Sequence, residues 1–430
     1  MSSREMSWKF EDSTKKANLL TPRGSLLDSR YSVEGFIGEG TFGQVVKCLD
    51  TKMDRKVAIK VTKGGFYLQE QSLTEIEILR QMQILDHDQC SIVQWHGSFV
   101  HNNWMCLSFE LLDINLEDYL QEVAYMPLAD IRQVLQQLAT ALVHLEALAI
   151  VHGDIKPGNI MVVNRCQQPL KVKLIDFGLA CHVADIDQGS MAQSLWYRAP
   201  EVILGLSFSQ SIDLWSLGMT VVELALGCPL FPGVDEYDIL RHIVNTLGGP
   251  SIHQLDAGLK STLFFNLHGT WRLKTPEEFF SMTGLYRKDT QCFHSLHDLE
   301  LMMYEKGNAE RKEMEQFINL FKELVQVNEN ERITPAELLK HPFLTVENHN
   351  DSRHVAVTHK EPTVPQQPSP KTTTLLPVEV VPPSPPEDLP SKLKETAVPV
   401  QSEVKVLTKT RKRFRQVRSF VRSIKNACVS

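Results

Sequence analysis

The chain has 430 residues, 42% of them hydrophobic, which is enough apolar material for two to three domains with sizeable cores. The formal net charge is −7, but from Thr408 to the end there are eight Lys or Arg and no acid, and removing those eight charges leaves −15 for the rest; an acidic body with a basic end argues against nucleic-acid binding by the body. The eight cysteines include no Cys-x-x-Cys pair and read as reduced, intracellular thiols, Met1 to Phe10 is too polar for a secretory signal, and the most apolar stretches, such as Ala141 to Val151, are broken by charged or polar residues before they reach membrane-spanning length.

Residues 1–30 are polar and without periodicity, and read as a flexible leader. From Tyr31 to Leu112 short β-rich runs dominate, with one helical stretch among them. Gly38-Glu39-Gly40-Thr41-Phe42-Gly43-Gln44-Val45 is a G-x-G-x-x-G-x-V loop, whose glycines let backbone N–H groups approach phosphate oxygens. A dinucleotide-binding loop is the rival, but it needs a helix directly afterwards; here the loop runs into the strand-like Val45-Val46-Lys47-Cys48. An ordinary hairpin turn stays open at this point.

Val57-Ala58-Ile59-Lys60 then places a lysine near the end of a strand. A solvated strand-edge lysine is one reading; the other is a cation on the α- and β-phosphates, held by a glutamate from a helix. Glu75 fits that partner. It shares a helical face with Ile78, Leu79 and Met82, and an acid on an apolar face must be paired. Glu77 points about 200° away, toward solvent.

From Leu116 onward the pattern is helical, as in Ile131 to Leu145, with a β-rich insert at Met161 to Val163 and Lys171 to Ile175. Strands first and helices later predict an α+β protein with a small β-rich N-lobe (31–112) and a larger helical C-lobe (113–344). Between apolar runs lies Val151-His152-Gly153-Asp154-Ile155-Lys156-Pro157-Gly158-Asn159. Asp154 would accept or orient a substrate hydroxyl proton, Lys156 would steady the charge of a transferring phosphoryl group, and Asn159 would bind a second Mg²⁺. Asp176-Phe177-Gly178 follows the insert, and Asp176 would chelate the Mg²⁺ that bridges the phosphates of ATP. Taken alone, an Asp in a turn such as Asp154 is more often a cap than a catalyst, and a turn acid is the alternative for Asp176.

Ala199-Pro200-Glu201, Asp213 and Arg332 come next. Glu201 with Arg332 predicts a structural salt bridge, and Asp213 an anchor for the backbone around His152; solvated surface charges are the alternative for all three. The order Gly loop, Lys60, Glu75, Asp154, Asn159, Asp176, Glu201 predicts the bilobal protein-kinase fold, with ATP and Mg²⁺ as its cofactors.

After Leu344 the composition changes: 11 of the 22 prolines lie between Asp351 and Val400, which predicts a disordered linker over 345–407. Within 408–430, Phe414, Val417, Val421, Ile424 and Cys428 recur at spacings of 3, 4, 3 and 4 among basic residues, the pattern of a basic amphipathic helix. An import receptor, an anionic membrane surface or a calmodulin-like groove would suit it, as would plain solvation. Nucleus and cytoplasm are both compatible with these features.

The chain resembles the homeodomain-interacting protein kinases, relatives of the dual-specificity tyrosine-regulated kinases within the proline-directed group. The resemblance covers roughly Tyr31 to Leu344. It is carried by Trp196-Tyr-Arg-Ala-Pro-Glu201, by Val134 to Leu142, by Ile203-Leu-Gly-Leu206, by Trp271-Arg-Leu-Lys-Thr-Pro276 and by the spacing of Lys60 from Glu75. It implies phosphorylation of Ser or Thr followed by Pro, with Arg198 shaping the pocket for that proline. It implies Phe109 as gatekeeper, Glu110 to Leu112 as the hinge that bonds adenine, and Ile37, Val45, Ala58 and Met161 as the sandwich around the base. It implies protein substrates, transcription regulators among them.

Three positions depart from the pattern. Gly153 replaces the arginine of the common His-Arg-Asp motif, which pairs with an activation-segment phosphate. The family's Tyr-Leu-Gln-Ser is Met191-Ala192-Gln193-Ser194 here, and Leu195 stands where the family has an arginine. The expectation is a segment held by packing of Met191 and Leu195, or a weakly active, pseudokinase-like scaffold that works through its lobes and tail.

Overall fold

A computed structural model describes residues 21–39, 43–62, 66–167, 169–284 and 310–345, and residues 295, 296, 299, 300 and 303 between the last two stretches. Residues 1–20 of the expected leader, Gly40, the proline-rich linker beyond Thr345 and the basic segment 408–430 lie outside the described residues.

Six strands form an antiparallel sheet in the order β1-β2-β3-β4-β6-β5: β1 (Leu26–Leu27), β2 (Tyr31–Glu39), β3 (Gly43–Asp50), β4 (Arg55–Thr62), β5 (Trp95–His101) and β6 (Trp104–Glu110). The sheet starts earlier than the sequence boundary at Tyr31, because Leu26 and Leu27 pair with Ser32 and Tyr31, and Leu27 is fully buried. A two-residue strand carries too little alternation to stand out in a polar leader.

The alternation of β4 decides what the sheet presents. Val57, Ile59 and Val61 enter a closed core with Tyr31, Val33, Val46, Cys48 and Cys106, while Ala58 and Lys60 line a cleft on the opposite face. Ala58 sits opposite Phe109 and Lys60 opposite Leu107 on β6, and Val45 of β3 sits opposite Lys60. A slip of one residue would bury the lysine in the closed core, so the hydrophobic face fixes the register. Helix α1 (Phe66–Gln81) packs behind with Ile76, Ile78 and Leu79, followed by Met82, all buried; Glu77 is exposed, as its phase requires.

The helical part is built on α2 (Leu116–Val123), α3 (Leu128–Ala147), α4 (Pro200–Leu204), α5 (Ser211–Leu226) and α6 (Glu236–Leu247). The Asn115 side chain caps α2 by accepting the Asp118 N–H. α5 is buried from Ile212 to Leu226 and ends at Gly227 (φ +76°), where a β-carbon would lie 2.0 Å from the Ala124 carbonyl oxygen. Short strands β7 (Ile114–Asn115), β8 (Ile150–Val151), β9 (Ile160–Val162) and β10 (Val172–Leu174) carry the loops of the site: 152–159 runs between β8 and β9, and Asp176 follows β10. Among the described residues no helix is long and apolar enough to cross a membrane.

Candidate active site

A cleft opens between the sheet and the helical part. Its lining includes Ile37, Val45, Ala58, Lys60, Phe109, the hinge Glu110 to Leu112 and Met161, as the resemblance implies, and Val93, Asp113 and Ile175, which it does not. Of these three, Val93 and Asp113 belong to no motif, and Ile175 is an apolar residue just before the Asp176-Phe177-Gly178 motif. Gly38 lies next to the end of β2 and Gly43 opens β3; a β-carbon at Gly43 would lie 2.0 Å from the Val61 carbonyl oxygen, so only glycine lets the strands approach there. Among the described backbone hydrogen bonds none uses the Leu112 N–H, which stays available at the hinge. The hinge is held from behind: buried Lys173 on β10 bonds Glu110 at 2.8 and 3.1 Å, and Arg165 grips Asp113 through three contacts between 2.8 and 3.2 Å.

Lys60 joins the two parts of the site. Its Nζ lies 2.7 and 2.8 Å from the Glu75 carboxylate oxygens and 2.9 Å from Asp176 Oδ1. Burial disfavours the ammonium, but the Asp176 and Glu75 carboxylates outweigh it and hold the Lys60 pKa above its ordinary value. Burial likewise opposes ionisation of Asp176, and Lys60 wins there too, so this carboxyl sits below its usual range. Glu75, the most enclosed of the three, is pushed up by burial, which Lys60 only partly offsets. Asp176 itself adopts φ +62°, a strained value for a residue with a side chain, which costs about 1–3 kcal/mol.

Hydrogen bonds converge on Asp154. Lys156 Nζ donates to Oδ2 at 2.6 Å, Asn159 Nδ2 donates to Oδ2 and to the Asp154 carbonyl at 2.9 Å, and Ser194 donates to Oδ1 through its hydroxyl at 2.7 Å and its N–H at 3.1 Å. Lys156 also reaches Ser194 Oγ at 2.8 Å. Ser194 went unassigned in the sequence because it lies 40 residues from Asp154 in an unremarkable Gln-Ser pair.

The supports fall where the sequence predicts. Asp213 accepts the N–H groups of His152 and Gly153 at 2.7 and 2.9 Å, and burial raises its pKa. His152 Nδ1 accepts the Asp154 N–H while Nε2 faces the Ile175 carbonyl at 3.0 Å, which fixes the tautomer; Phe177 packs edge-on against this ring at 4.9 Å. Glu201 and Arg332 form a double contact at 2.8 and 3.2 Å, with both side chains fully buried.

Gly153 has φ +71°, and a β-carbon there would lie 3.0 Å from the Leu179 carbonyl oxygen, so the loop geometry itself favours glycine. The expected packing of Met191 is corrected: the residue is 56% exposed, with Lys260 Nζ 3.5 Å from its Sδ. Leu195 does pack against the main core. Polar bonds fix the segment instead. Arg198 donates from Nε to the Ala192 carbonyl (3.0 Å), from Nη2 to the Gln193 carbonyl (2.7 Å) and from Nη1 to Glu236 (2.7 Å), and Gln193 N–H donates to the Gly153 carbonyl at 2.8 Å.

Whether a divalent metal fits can be judged from the donors. Among the described residues no cluster of three His, Cys, Asp or Glu could hold one unaided. The Lys60, Glu75 and Asp176 group nevertheless carries one cation against two carboxylates, and none of the hydrogen bonds above engages Asp176 Oδ2 or Asn159 Oδ1. Two uncommitted hard oxygens in a net-negative pocket suit a metal that takes its remaining ligands from phosphate and water.

Comparison with known proteins decides the family. The protein kinase domain matches residues 31–344. The chain belongs to the protein kinase family. This kinase is 40% identical over 345 residues to homeodomain-interacting protein kinase 2 of Mus musculus, an alignment that covers 77% of this chain and 29% of the relative. It is 37% identical over 386 residues to homeodomain-interacting protein kinase 1 of Caenorhabditis elegans (84% and 45%), and 34% identical over 340 residues to homeodomain-interacting protein kinase 4 of Homo sapiens (74% and 55%). The kinase thus spans about 29% of the length of the mouse relative. Its family implies ATP as phosphate donor and a divalent metal beside it.

Proposed function

We propose that the chain is an active serine/threonine protein kinase that transfers the γ-phosphate of ATP, with Mg²⁺, to Ser or Thr followed by Pro. The observation that carries this reading is the meeting of Lys60, Asp176, Asn159 and Asp154 at one cleft, with bonds of 2.6 to 2.9 Å linking Lys60 to Asp176 and Asp154 to Asn159 and Lys156. ATP would lie with its base between Ala58 and Met161, bonded to the Leu112 backbone. Lys60 would hold the α- and β-phosphates while Glu75 fixes its direction. Asp176 and Asn159 would hold Mg²⁺, which supplies neutralisation of the phosphate charge. Asp154, held from two sides by Ser194 and Lys156, orients the attacking hydroxyl and takes its proton; Lys156 offsets charge on the transferring group.

The preference for proline rests on Arg198. It consumes the carbonyls of Ala192 and Gln193, so the residue after the phosphoacceptor finds no backbone acceptor there. An ordinary residue would bury an unsatisfied N–H at a cost of about 1–3 kcal/mol; proline has none to satisfy. The printed names of the relatives make homeodomain-containing transcription regulators the first protein substrates to try, and a nuclear location follows from that choice. Among the described residues no observation favours a pseudokinase scaffold, since Lys60, Glu75, Asp154, Asn159 and Asp176 all keep the side chains that the reaction needs.

The test is incorporation of γ-phosphate into a Ser-Pro peptide by the full chain and by Asp154→Asn. The variant should lose about 10²- to 10⁴-fold in kcat. Equal rates for both proteins would overturn the assignment of Asp154.

A further inference from the structure

We infer that Gln193 is a specificity-determining residue: its side chain braces the activation segment in the conformation that selects proline after the phosphoacceptor. The inference rests on the proline-directed reading above and deepens it.

Gln193 is 97% buried, being 3% exposed, and adopts φ +65°, in the left-handed region that residues with a β-carbon avoid. Something must hold it there, and five bonds do. Its side-chain Oε1 accepts the Ala199 N–H at 2.9 Å. Its Nε2 donates to the Ile212 carbonyl and to Ser216 Oγ, each at 2.8 Å, on the fully buried helix α5. Its own N–H donates to the Gly153 carbonyl at 2.8 Å, and its carbonyl accepts from Arg198 Nη2 at 2.7 Å. Ser216 in turn donates to the Tyr197 carbonyl at 2.8 Å.

These bonds divide by function. The backbone N–H ties the segment to the catalytic loop, and the side chain ties it to α5 and to the start of α4. The left-handed turn between them swings the Gln193 carbonyl into the Arg198 fork. With the side-chain amide gone, φ is free to return to the extended region, and the carbonyl leaves the fork. A carbonyl outside the fork can accept the N–H of a non-proline residue, so the rejection of such substrates weakens. Arg198 supplies the fork, and Gln193 supplies the direction from which the carbonyl enters it. A shorter amide such as Asn cannot span to both Ala199 and Ser216, and a carboxylate such as Glu cannot donate to the Ile212 carbonyl.

The test compares kcat/KM on two peptides that differ only in Pro or Ala after the serine, for the full chain, for Gln193→Met and for Ser216→Ala. Gln193→Met should lower the Pro-to-Ala ratio at least about fivefold, the worth of one ordinary hydrogen bond. The Ala peptide should lose less than the Pro peptide, or gain. Ser216→Ala removes one brace and keeps Gln193, so it should shift the ratio the same way by a smaller factor, and it stands in if Gln193→Met does not fold. An unchanged ratio in the variants, with activity falling equally on both peptides, overturns the inference and leaves the proline-directed reading standing. A wild-type chain without proline preference overturns that reading and the inference with it.

Discussion

Asp50 shows in one residue how this chain handles charge. Its carboxylate is 1% exposed, yet Arg30 clasps both oxygens at 2.7 and 2.6 Å. The Arg30 hydrogen bonds lower the Asp50 pKa from the ordinary 3.8 against the opposing effect of burial. A folded pKa below the unfolded one means that stability is complete above the ordinary value and is lost as pH falls through the folded value. Urea midpoints of wild type and Asp50→Asn should therefore differ most at neutral pH and converge below pH 3.8; a difference that stays constant down to pH 3 would contradict the pairing. Asp154 follows the same logic with a different purpose. Both of its oxygens are engaged, so its orientation is set before any substrate arrives.

At the scale of elements, β4 carries structure on one face and chemistry on the other. Ile59→Ala opens a void in the closed core of the sheet and should cost about 2–5 kcal/mol of stability. Ala58→Leu, one residue earlier, fills the cleft opposite Phe109. It should raise the KM for ATP at least about tenfold, roughly 1.4 kcal/mol, while the melting temperature barely moves. Thermal melts and ATP titrations on the two variants separate the faces, and the same phenotype for both would mean that the alternation is misassigned. This alternation was legible in Val57-Ala58-Ile59-Lys60, because a period of two is a local property. So was the placement of Glu75, since the apolar face of α1 leaves one inward acid in need of a partner. The activation segment was not legible. Its conformation depends on a left-handed Gln193, on Ser194 meeting Asp154 across 40 residues and on Arg198 turning inward, none of which leaves a periodic trace. Reading Met191 as a packing residue failed for that reason: an apolar side chain suggests burial, but the bonds that hold the segment are polar and lie beside it.

Across the whole molecule, residues far apart in sequence lock the helical part under the site. Glu201 and Arg332 are 131 positions apart and both fully buried. Arg332→Met strands the Glu201 carboxylate and should cost about 3–5 kcal/mol in denaturant melts, far above the effect of a solvated surface pair. A loss below 1 kcal/mol would show that the pair is dispensable. The motif order in the sequence foretold this pair, the anchoring by Asp213 and the two-part architecture. The hinge supports, Lys173 on Glu110 and Arg165 on Asp113, went unforeseen because the partners stand 63 and 52 positions apart and no motif links them.

The central claim is that Lys60, Asp176, Asn159 and Asp154 meet around one metal-bound triphosphate. Calorimetric titration of the full chain with ATP, with and without Mg²⁺, tests it most directly when repeated on Asp176→Asn. The expected result is binding that tightens with Mg²⁺ and loses at least about tenfold in affinity, roughly 1.4 kcal/mol, in the variant. ATP affinity indifferent to Mg²⁺ and untouched by Asp176→Asn would contradict it.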